Sequence, residues 1–339
     1  MRAIGFQSPL PIAEPSALVD IELPEPSPAG RDLLVEVRAI SVNPVDTKVR
    51  RSFTPAAGDW RVLGYDAAGV VVATGPDATL FRPGDEVFYA GALERQGANA
   101  ERHLVDERIV GRKPASLSFA EAAALPLTTI TAWEAMFDRL DVAKPVPGAA
   151  PAILIIGGAG GVGSIATQLA RTLTGLTVIA TASRPETQDW VRGLGAHHVV
   201  DHSKPLAAEV AALGIGAPGF VFSTTNTGDH LAEIAQLIAP QGRFALIDDP
   251  AALDAMPFKR KSVSIHWEFM FTRSMFGTAD IAAQGELLNE AARLVDEGTL
   301  RTTAAESFGA ITADNLRRAH ALIESGKAKG KIVLESFSA

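Results

Sequence analysis

The fold of this chain is decided at residues 153–163, which read Ile-Leu-Ile-Ile-Gly-Gly-Ala-Gly-Gly-Val-Gly. Four consecutive apolar residues, three of them β-branched, predict a buried parallel strand. The stretch that follows, Ser164–Leu173, has the apolar pattern of a helix. Between the two, Gly158, Gly160 and Gly163 have the G-x-G-x-x-G spacing, at a junction of strand and helix where that spacing has a mechanism.

Each of these glycines has its own task in a dinucleotide site. Gly158 permits the tight turn, Gly160 lets the backbone approach a pyrophosphate, and Gly163 lets the helix pack closely on the strand. Free N–H groups at the helix start, those of Gly161 and Val162 included, are expected to hold the phosphates with help from the helix dipole. The alternative is a purely structural turn. The strand before the loop and the amphipathic helix after it favour a dinucleotide site.

The next strand bears on the choice of coenzyme. An NAD site places Asp or Glu about 20 residues beyond the glycine loop, where it accepts a hydrogen bond from the ribose 2′-hydroxyl. Here the strand Thr177–Ala182 ends in Ser183 and Arg184, and the first acid, Glu186, lies across Pro185. A hydroxyl and a guanidinium suit a 2′-phosphate, because Arg offers several donors to a dianion. An ordinary surface arginine is the alternative, and the pattern favours NADPH over NADH.

Composition excludes several classes of protein. The chain has 339 residues, 47% of them hydrophobic, and a formal net charge of −8, which argues against nucleic acid or an anionic membrane as a general partner. It has no cysteine, which excludes disulfides, a catalytic thiol and every zinc site that needs a Cys ligand. The N-terminus lacks the apolar core of a signal peptide, and no stretch reaches about 18 consecutive apolar residues. We therefore expect a cytoplasmic protein with no membrane partner.

The first third of the chain has a different sequence pattern from the rest. Period-two alternation, as in Asp32–Ile40, and frequent Pro and Gly turns predict an irregular antiparallel barrel. From Ser118 onward the pattern becomes helical. A helix over Phe119–Leu125 is expected with Ser118 as its N-cap, and a second helix is expected over Thr131–Leu140.

Between residues 152 and 248, strands and helices alternate as in a doubly wound parallel sheet. The predicted strands are 153–156, 177–182, 198–200, 219–223 and 243–247, the last of which closes the series. The predicted helices are 164–173, 185–194, 205–213 and 229–238. The aromatic run 265–271 is either one wall of an acceptor pocket or a core or interface strand, and the latter is favoured for Ile265, Trp267 and Phe269. Helices 280–297 and 313–325 and a final strand, 331–335, are expected to return to the first domain.

This order of barrel, nucleotide domain and return segment resembles the medium-chain dehydrogenase/reductase superfamily. Five short motifs carry the resemblance: Ser41–Asp46, Leu63–Val71, Phe81–Val87, Ala124–Pro126 and Gly158–Gly163. Within the superfamily the chain is similar to the quinone oxidoreductase branch, whose members are often labelled zinc-binding alcohol dehydrogenases. The resemblance implies an α/β protein with a GroES-like barrel domain, residues 1–125 completed by 275–339, and a Rossmann domain, residues 126–274. It also implies a homodimer formed through the edge of the nucleotide-domain sheet.

Zinc-dependent members of that superfamily differ at the positions that matter. They carry a Cys near the position of Asn43, a Gly-His-Glu where this chain has Gly64-Tyr65-Asp66, and a lobe with four cysteines. Asp66 and His103 alone do not supply the three protein ligands of a catalytic zinc. His198 and His202 have i,i+4 spacing but flank a strand, where that spacing does not converge. No metal is predicted.

Without a metal to polarise a simple ketone, the substrate has to be electrophilic already, as quinones and α,β-unsaturated carbonyls are. Three residues are candidates to assist. The Asn43 amide is suited to stabilise a developing oxyanion, or it caps a turn before Pro44. Lys48 supplies a cation or a proton, or is a solvated surface lysine. Tyr65 donates through its hydroxyl, or only packs. A fourth polar residue, Asp46, is more suited to orient the loop than to catalyse.

The resemblance adds three cofactor contacts. Thr128 would contact the nicotinamide or its ribose, with a helix cap as the alternative. His202 would lie near the 2′-phosphate, and Lys331 near the cofactor unless it is a surface lysine. A fourth contact follows from the predicted sheet: Asn226 comes after the predicted strand at 219–222 and so faces the carboxyl end of the sheet, near the adenine or its ribose. The predicted function is a zinc-independent, NADPH-dependent oxidoreductase of quinones or α,β-unsaturated carbonyls. The alternatives are a zinc-dependent alcohol dehydrogenase and a non-catalytic NADPH-binding sensor.

Overall fold

The computed structural model describes residues 1–337. It divides into two compact units, one formed by residues 1–130 with the chain from Phe271 onward and the other by residues 131–270. The strands are β1 Arg2–Phe6, β2 Val19–Glu22, β3 Asp32–Val42, β4 Arg61–Val62, β5 Ala67–Thr74, β6 Glu86–Tyr89, β7 Arg102–Asp106, β8 Val110–Arg112, β9 Ala150–Ile156, β10 Thr177–Thr181, β11 His198–Val200, β12 Pro218–Ser223, β13 Arg243–Leu246, β14 Ser264–Trp267, β15 Ala304–Ser307 and β16 Lys331–Glu335. The α-helices are α1 Pro44–Ser52, α2 Phe119–Ala123, α3 Pro126–Trp133, α4 Gly161–Leu173, α5 Pro185–Gly193, α6 Leu206–Ala211, α7 Thr227–Leu237, α8 Thr272–Phe276, α9 Ala283–Asp296 and α10 Ala313–Glu324.

The unit of residues 131–270 contains the predicted parallel sheet. Its six strands run in the order β11-β10-β9-β12-β13-β14, and every neighbouring pair is parallel. Residues 152–156 of β9 are fully buried, as expected of a strand covered on both faces. The chain leaves β9 first toward β10 and later returns to its other side as β12. This reversal creates the crevice at the carboxyl ends of the strands where such sheets bind ligands.

The sheet has one strand more than the sequence predicted. The series was expected to close at residue 247, and this was wrong, because β14 pairs with β13 in parallel and forms the edge of the sheet. Its Ile265 packs against the core of the unit. Trp267 and Phe269 are 53% and 47% exposed, so they are not core residues. The run 265–271 was predicted to contain a strand, but its place in the parallel series was not predicted, because the segment before it, Met256–Lys261, is a short 3₁₀-helix rather than an α-helix.

The other unit contains the predicted, mainly antiparallel β-structure. One sheet runs β15-β16-β3-β5-β6-β8, with β7 also paired to β3, and a smaller sheet runs β2-β1-β4. Among the strands described for this unit, β15 and β16 pair in parallel and the other pairs are antiparallel. The final strand β16 pairs with β3, with Ile332 opposite Val42. This register brings Lys331 beside the end of β3.

Several helix bounds differ from the predictions for local reasons. Ser118 caps α2 as predicted, because its hydroxyl accepts from the Glu121 N–H while the Glu121 carboxylate accepts from the Ser118 N–H. The second predicted helix begins earlier, as α3, and continues as a π-helix over Glu134–Arg139. The helix after the glycine loop starts at Gly161 rather than at Ser164. Within residues 1–337, no helix has both the length and the apolar character needed to cross a bilayer.

Candidate functional site

The glycine loop between β9 and α4 has the geometry of a phosphate cradle. A Cβ on Gly163 would lie 2.2 Å from the Gly157 carbonyl oxygen, and one on Gly158 would lie 2.8 Å from the Ala180 Cβ. Both positions therefore require glycine for close packing of helix and strand. A Cβ on Gly160 would meet only the Gly157 oxygen, at an ordinary 3.5 Å. The protein itself does not crowd Gly160, so the open side of this residue is free for a ligand that approaches the backbone.

The first turn of α4 points its N–H groups at that opening. The first hydrogen bond of the helix joins the Ser164 N–H to the Gly160 carbonyl at 2.9 Å. The N–H groups of Gly161, Val162 and Gly163 precede that bond and have no partner inside the helix. A helix N-terminus of this kind, reached through a glycine loop, fits a pyrophosphate. The donor set therefore fits the dinucleotide that the sequence predicted.

Thr181, at the end of β10, connects this loop to a histidine. Its hydroxyl oxygen accepts from the Gly157 N–H at 3.0 Å and lies 2.9 Å from His202 Nδ1. Gly157 itself has φ +80°, a left-handed conformation that favours glycine. Sequence reasoning missed both Thr181 and Gly157. The threonine lies in the interior of the predicted strand, and no spacing rule connects it to the loop.

Ser183 and Arg184 follow β10 and are both half-buried. Arg184 Nε is 3.2 Å from the Glu186 carboxylate, so the guanidinium already has an acidic neighbour. Its side chain remains 40% exposed, which leaves it accessible to a ligand. The acid that sequence reasoning placed two residues beyond the strand thus pairs with the predicted phosphate-binding residue.

His202 and Asn226 also lie at the carboxyl side of this sheet. The His202 ring is 6.2 Å from the ring of His230 in α7. Burial lowers the pKa of His202, and the nearby charges of His230 and Arg184 lower it further, while Asp201 opposes them. Asn226 is exposed immediately before α7 and has φ +51°, which only a few non-glycine residues adopt. The sequence did not identify His230, because a histidine inside a helical pattern carries no ligand signal by itself.

In the other unit, four polar side chains form a buried group that we call the Lys331 cluster: Asn43, Asp46, Asp66 and Lys331. The Lys331 ammonium donates to Asp66 Oδ2 at 2.9 Å, to the Val42 carbonyl at 3.0 Å and to Asn43 Oδ1. The Asn43 amide N–H₂ donates to Asp66 Oδ2 at 2.8 Å. Asp66 Oδ1 accepts from the Leu127 N–H at 2.7 Å. The cluster therefore satisfies one buried cation through oxygen atoms of the protein.

The fourth member, Asp46, orients the loop rather than facing solvent. Its carboxylate accepts from the N–H groups of Asn43 and Gly64, at 2.8 and 2.9 Å. Burial raises the pKa of Asp46 to about 7, although both hydrogen bonds and the charge of Lys331 act in the opposite direction. Burial also raises the pKa of Asp66 despite its bond to Lys331.

The remaining predicted residues of this unit lie in different environments. Lys48 is exposed on α1. Tyr65 is fully buried, its hydroxyl oxygen accepts from Arg61 at 3.1 Å, and its ring packs edge-on against Phe271. Burial raises the pKa of Tyr65 in spite of Arg61, so its O–H remains a donor. Thr128 is buried, and its hydroxyl donates to the Leu125 carbonyl at 3.1 Å.

The structure thus brings Asn43 and Lys331 together and places Lys48 on the surface. Lys331 is only 3% exposed, and its ammonium contacts are made inside its own unit. Its predicted contact with the cofactor, and the catalytic roles of Asn43, Tyr65 and Lys48, stay predictions. Sequence reasoning missed the pairing of Lys331 with Asp66, because the two are 265 residues apart and no local pattern connects them.

The side chains do not form a metal site in the part of the chain that the structure describes. No group of three or more His, Cys, Asp or Glu residues there is arranged to hold a metal ion. Of the pair Asp66 and His103, which the sequence analysis considered as ligands, Asp66 is bonded to Lys331. The other, His103, is bonded to the Tyr89 hydroxyl at 3.1 Å and the Gln96 carbonyl at 2.9 Å. Burial lowers the pKa of His103 to about 4.

Family models match both parts of the chain. A model described as alcohol dehydrogenase GroES-like domain matches residues 29–135, and one described as zinc-binding dehydrogenase matches residues 194–334. A Staphylococcus aureus protein named zinc-type alcohol dehydrogenase-like protein is 42% identical over 98% of this chain and 99% of its own length. An Arabidopsis thaliana protein named NADPH-dependent alkenal/one oxidoreductase, chloroplastic, is 33% identical over 67% of this chain and 66% of its own length.

Solved structures agree with this relationship. A Rhizobium etli protein, provisionally named a zinc-dependent alcohol dehydrogenase, is 71% identical and superimposes with a TM-score of 0.99 over 100% of this chain and 99% of its own. A quinone oxidoreductase from Coxiella burnetii is 27% identical, with a TM-score of 0.79 over 99% of both chains. The chain belongs to the medium-chain dehydrogenase/reductase superfamily, as the sequence motifs indicated, and is an oxidoreductase of that type.

Proposed function

We propose that this member of the medium-chain dehydrogenase/reductase superfamily reduces quinones or α,β-unsaturated carbonyls with NADPH and without zinc. The observation that carries the proposal is the Lys331 cluster. Asn43 and Asp66 lie at motif positions that belong to the zinc site in zinc-dependent relatives, and here both are bonded to a lysine ammonium. The lysine ammonium therefore engages oxygen atoms that a metal ion at this place would need as ligands.

The cofactor part of the proposal depends on the glycine loop and the end of β10. The uncrowded Gly160 and the first turn of α4 suit a pyrophosphate. Arg184 is accessible and suits a 2′-phosphate, although its pairing with Glu186 means that the phosphate has to compete with a carboxylate. When bound, NADPH would supply the hydride, and solvent would supply the proton, to the α-carbon of the enolate formed from an enone or to the oxygen of a reduced quinone.

The acceptor class follows from what the side chains offer. Zinc polarises a simple carbonyl strongly, whereas an amide or a tyrosine offers only a hydrogen bond. Tyr65 keeps its proton because burial raises its pKa, so it is a donor at neutral pH. Both polar atoms of the Asn43 amide, the oxygen and the nitrogen, already make hydrogen bonds within the Lys331 cluster. A weak donor set of this kind suits an acceptor that is electrophilic by itself, as quinones and enones are.

The names of two relatives support the same class. One carries NADPH and alkenals or enones in its name, and a structural neighbour is named a quinone oxidoreductase. The exposed aromatic side chains at the β14 edge, Trp267 and Phe269, favour an isologous homodimer through that edge. We place the reaction in the cytoplasm.

Deuterium transfer tests the reaction. The protein is incubated with NADPH carrying deuterium at the reactive C4 position and with an α,β-unsaturated ketone, and the product is analysed by mass spectrometry and NMR. Deuterium at the β-carbon, with solvent hydrogen at the α-carbon, is the expected result. Product without deuterium at the β-carbon would contradict hydride transfer to that position. Tight NADPH binding without any oxidation of NADPH would favour the sensor alternative.

A further inference from the structure

We propose that His202 and His230 form, with Arg184, a 2′-phosphate subsite in which the two imidazoles select NADPH over NADH by taking up protons when the phosphate binds. The inference deepens the proposed function and rests on it. It assigns a coenzyme-selecting role to His230, and it makes coenzyme preference a function of pH.

The geometry brings the two rings to one place from two different elements. His202 follows β11, and its Nδ1 is held by the Thr181 hydroxyl at 2.9 Å. His230 is the fourth residue of α7, and the two ring centres are 6.2 Å apart. Both side chains are half-buried rather than enclosed, so a ligand can reach them. A tetrahedral phosphate presents oxygen atoms in several directions and is therefore able to accept from two rings at this separation.

The Thr181 hydroxyl ties this pair to the glycine loop. Because the same oxygen accepts from the Gly157 N–H at 3.0 Å, the position of the His202 ring is set by the loop proposed to hold the pyrophosphate. In a dinucleotide, the 2′-phosphate and the pyrophosphate are attached to one ribose. The single hydroxyl thus fixes two phosphate sites relative to each other.

The charges that face His202 come from three elements. His230 lies in α7, Arg184 follows β10, and Asp201 is adjacent in the chain. Burial, His230 and Arg184 lower the pKa of His202, and Asp201 opposes them. Glu186 pairs with Arg184 and reduces the net positive charge of the group. Without ligand, His202 is therefore neutral near pH 7, and the subsite holds less positive charge than its composition suggests.

A dianionic phosphate reverses this balance, because an opposite charge within hydrogen-bonding distance favours the protonated imidazole. Binding of NADPH then takes up protons, and its affinity falls as the pH rises through the pKa of the bound form. NADH lacks the phosphate and causes no such uptake. The 2′-phosphate itself would release a proton on binding, because a cationic subsite favours its dianionic form. This release is opposite in direction to proton uptake by the histidines. Net uptake therefore comes from groups of the protein, and its loss in the histidine variants identifies His202 and His230 as its source.

Isothermal titration calorimetry of the full chain tests the proposal. NADPH and NADH are titrated between about pH 6 and 8 in buffers of different ionisation enthalpy, which gives the number of protons exchanged. The variants are His230→Gln and His202→Gln. The matched control is His266→Gln, in β14 at the opposite edge of the sheet. Arg184→Ala serves as a reference for a phosphate contact that is not a histidine.

We expect wild-type protein to take up protons with NADPH and not with NADH. His230→Gln should reduce the uptake and weaken NADPH at about pH 6 by roughly tenfold, with NADH changed by less than about twofold. His266→Gln should behave as wild type. NADPH preference that depends on Arg184 but involves no histidine-dependent uptake would overturn the inference and leave the proposed function intact. NADH bound as tightly as NADPH at every pH would overturn both the inference and the coenzyme assignment.

Discussion

Replacing Lys331 by Met tests the buried cation on which the proposed function depends. Lys331 is 3% exposed, and its ammonium bonds to Asp66, Val42 and Asn43. Met has a similar length but no charge, so Lys331→Met leaves the Asp66 carboxylate buried without its cation. Removing one partner of a buried ion pair costs about 3–5 kcal/mol, and we expect a loss of this size in the free energy of unfolding.

The pH dependence and a double variant separate lost charge from lost packing. Burial already raises the pKa of Asp66 and Asp46 above their ordinary values. Without Lys331 these values rise further, so the native state binds more protons than the unfolded state over a wider range. The loss caused by Lys331→Met should therefore be smaller at about pH 5 than at about pH 8. The double variant Asp66→Asn/Lys331→Met removes both charges and should lose less than the sum of the two single variants.

Urea unfolding followed by far-UV circular dichroism measures these losses, with Lys144→Met as an exposed-lysine control expected to lie within about 0.5 kcal/mol of wild type. A loss below about 1 kcal/mol for Lys331→Met would refute the reasoning. So would a loss that does not change with pH, because an uncompensated buried carboxylate has to respond to protonation.

Three further predictions concern single positions. Gly163→Ala should lower both stability and NADPH affinity, because its Cβ would lie 2.2 Å from a backbone oxygen. Gly160→Ala, with no contact closer than 3.5 Å, should weaken NADPH binding in a titration without lowering the melting temperature. Equal effects of the two variants on stability would contradict the proposed phosphate cradle. Burial and the neighbouring Glu134 raise the pKa of Glu268 against the opposing effect of Arg139, so native stability should fall as the pH rises above the unfolded value of about 4.5. Glu268→Gln should remove most of that slope in urea titrations, and an unchanged slope would place its origin elsewhere. Burial and Arg50 lower the pKa of His320 to about 3, so its contribution to stability is complete above the unfolded value of about 6.5. As the pH falls below 6.5, the free energy of unfolding should decrease by about 1.4 kcal/mol per pH unit. His320→Leu should reduce this decrease at acid pH, and an equal decrease in both proteins would refute the assignment.

The features that the sequence predicted correctly depend on residues that are close to one another in the sequence. The glycine loop is one, because its spacing and its flanking strand and helix fall within about one βαβ unit. The capping box of Ser118 and Glu121 is another, since both halves lie within four residues. The alternation of strands and helices predicted five strands of the parallel sheet, which the structure contains with shifted ends. Each of these signals depends on local backbone chemistry.

The features that the sequence did not reveal depend on contacts between distant segments. Nothing near Lys331 indicates that β16 pairs with β3 in the register that buries its ammonium beside Asn43. The approach of His230 to His202 likewise requires α7 and the segment after β11 to be in place. The pairing of β14 with β13 was not predicted, because the aromatic residues of β14 suit a core strand and an exposed edge equally well. Local pattern does not specify which side of a strand becomes covered.

The most direct test of zinc-independent reduction is turnover by protein that is free of metal. The protein is treated with a chelator, its metal content is checked by elemental analysis, and NADPH oxidation is followed by absorbance with quinones, enones, simple aldehydes and, in the reverse direction, alcohols. The account predicts oxidation of NADPH by quinones or enones without metal, unchanged when zinc is added back. Activity that appears only with zinc, and on alcohols or simple aldehydes, would contradict it.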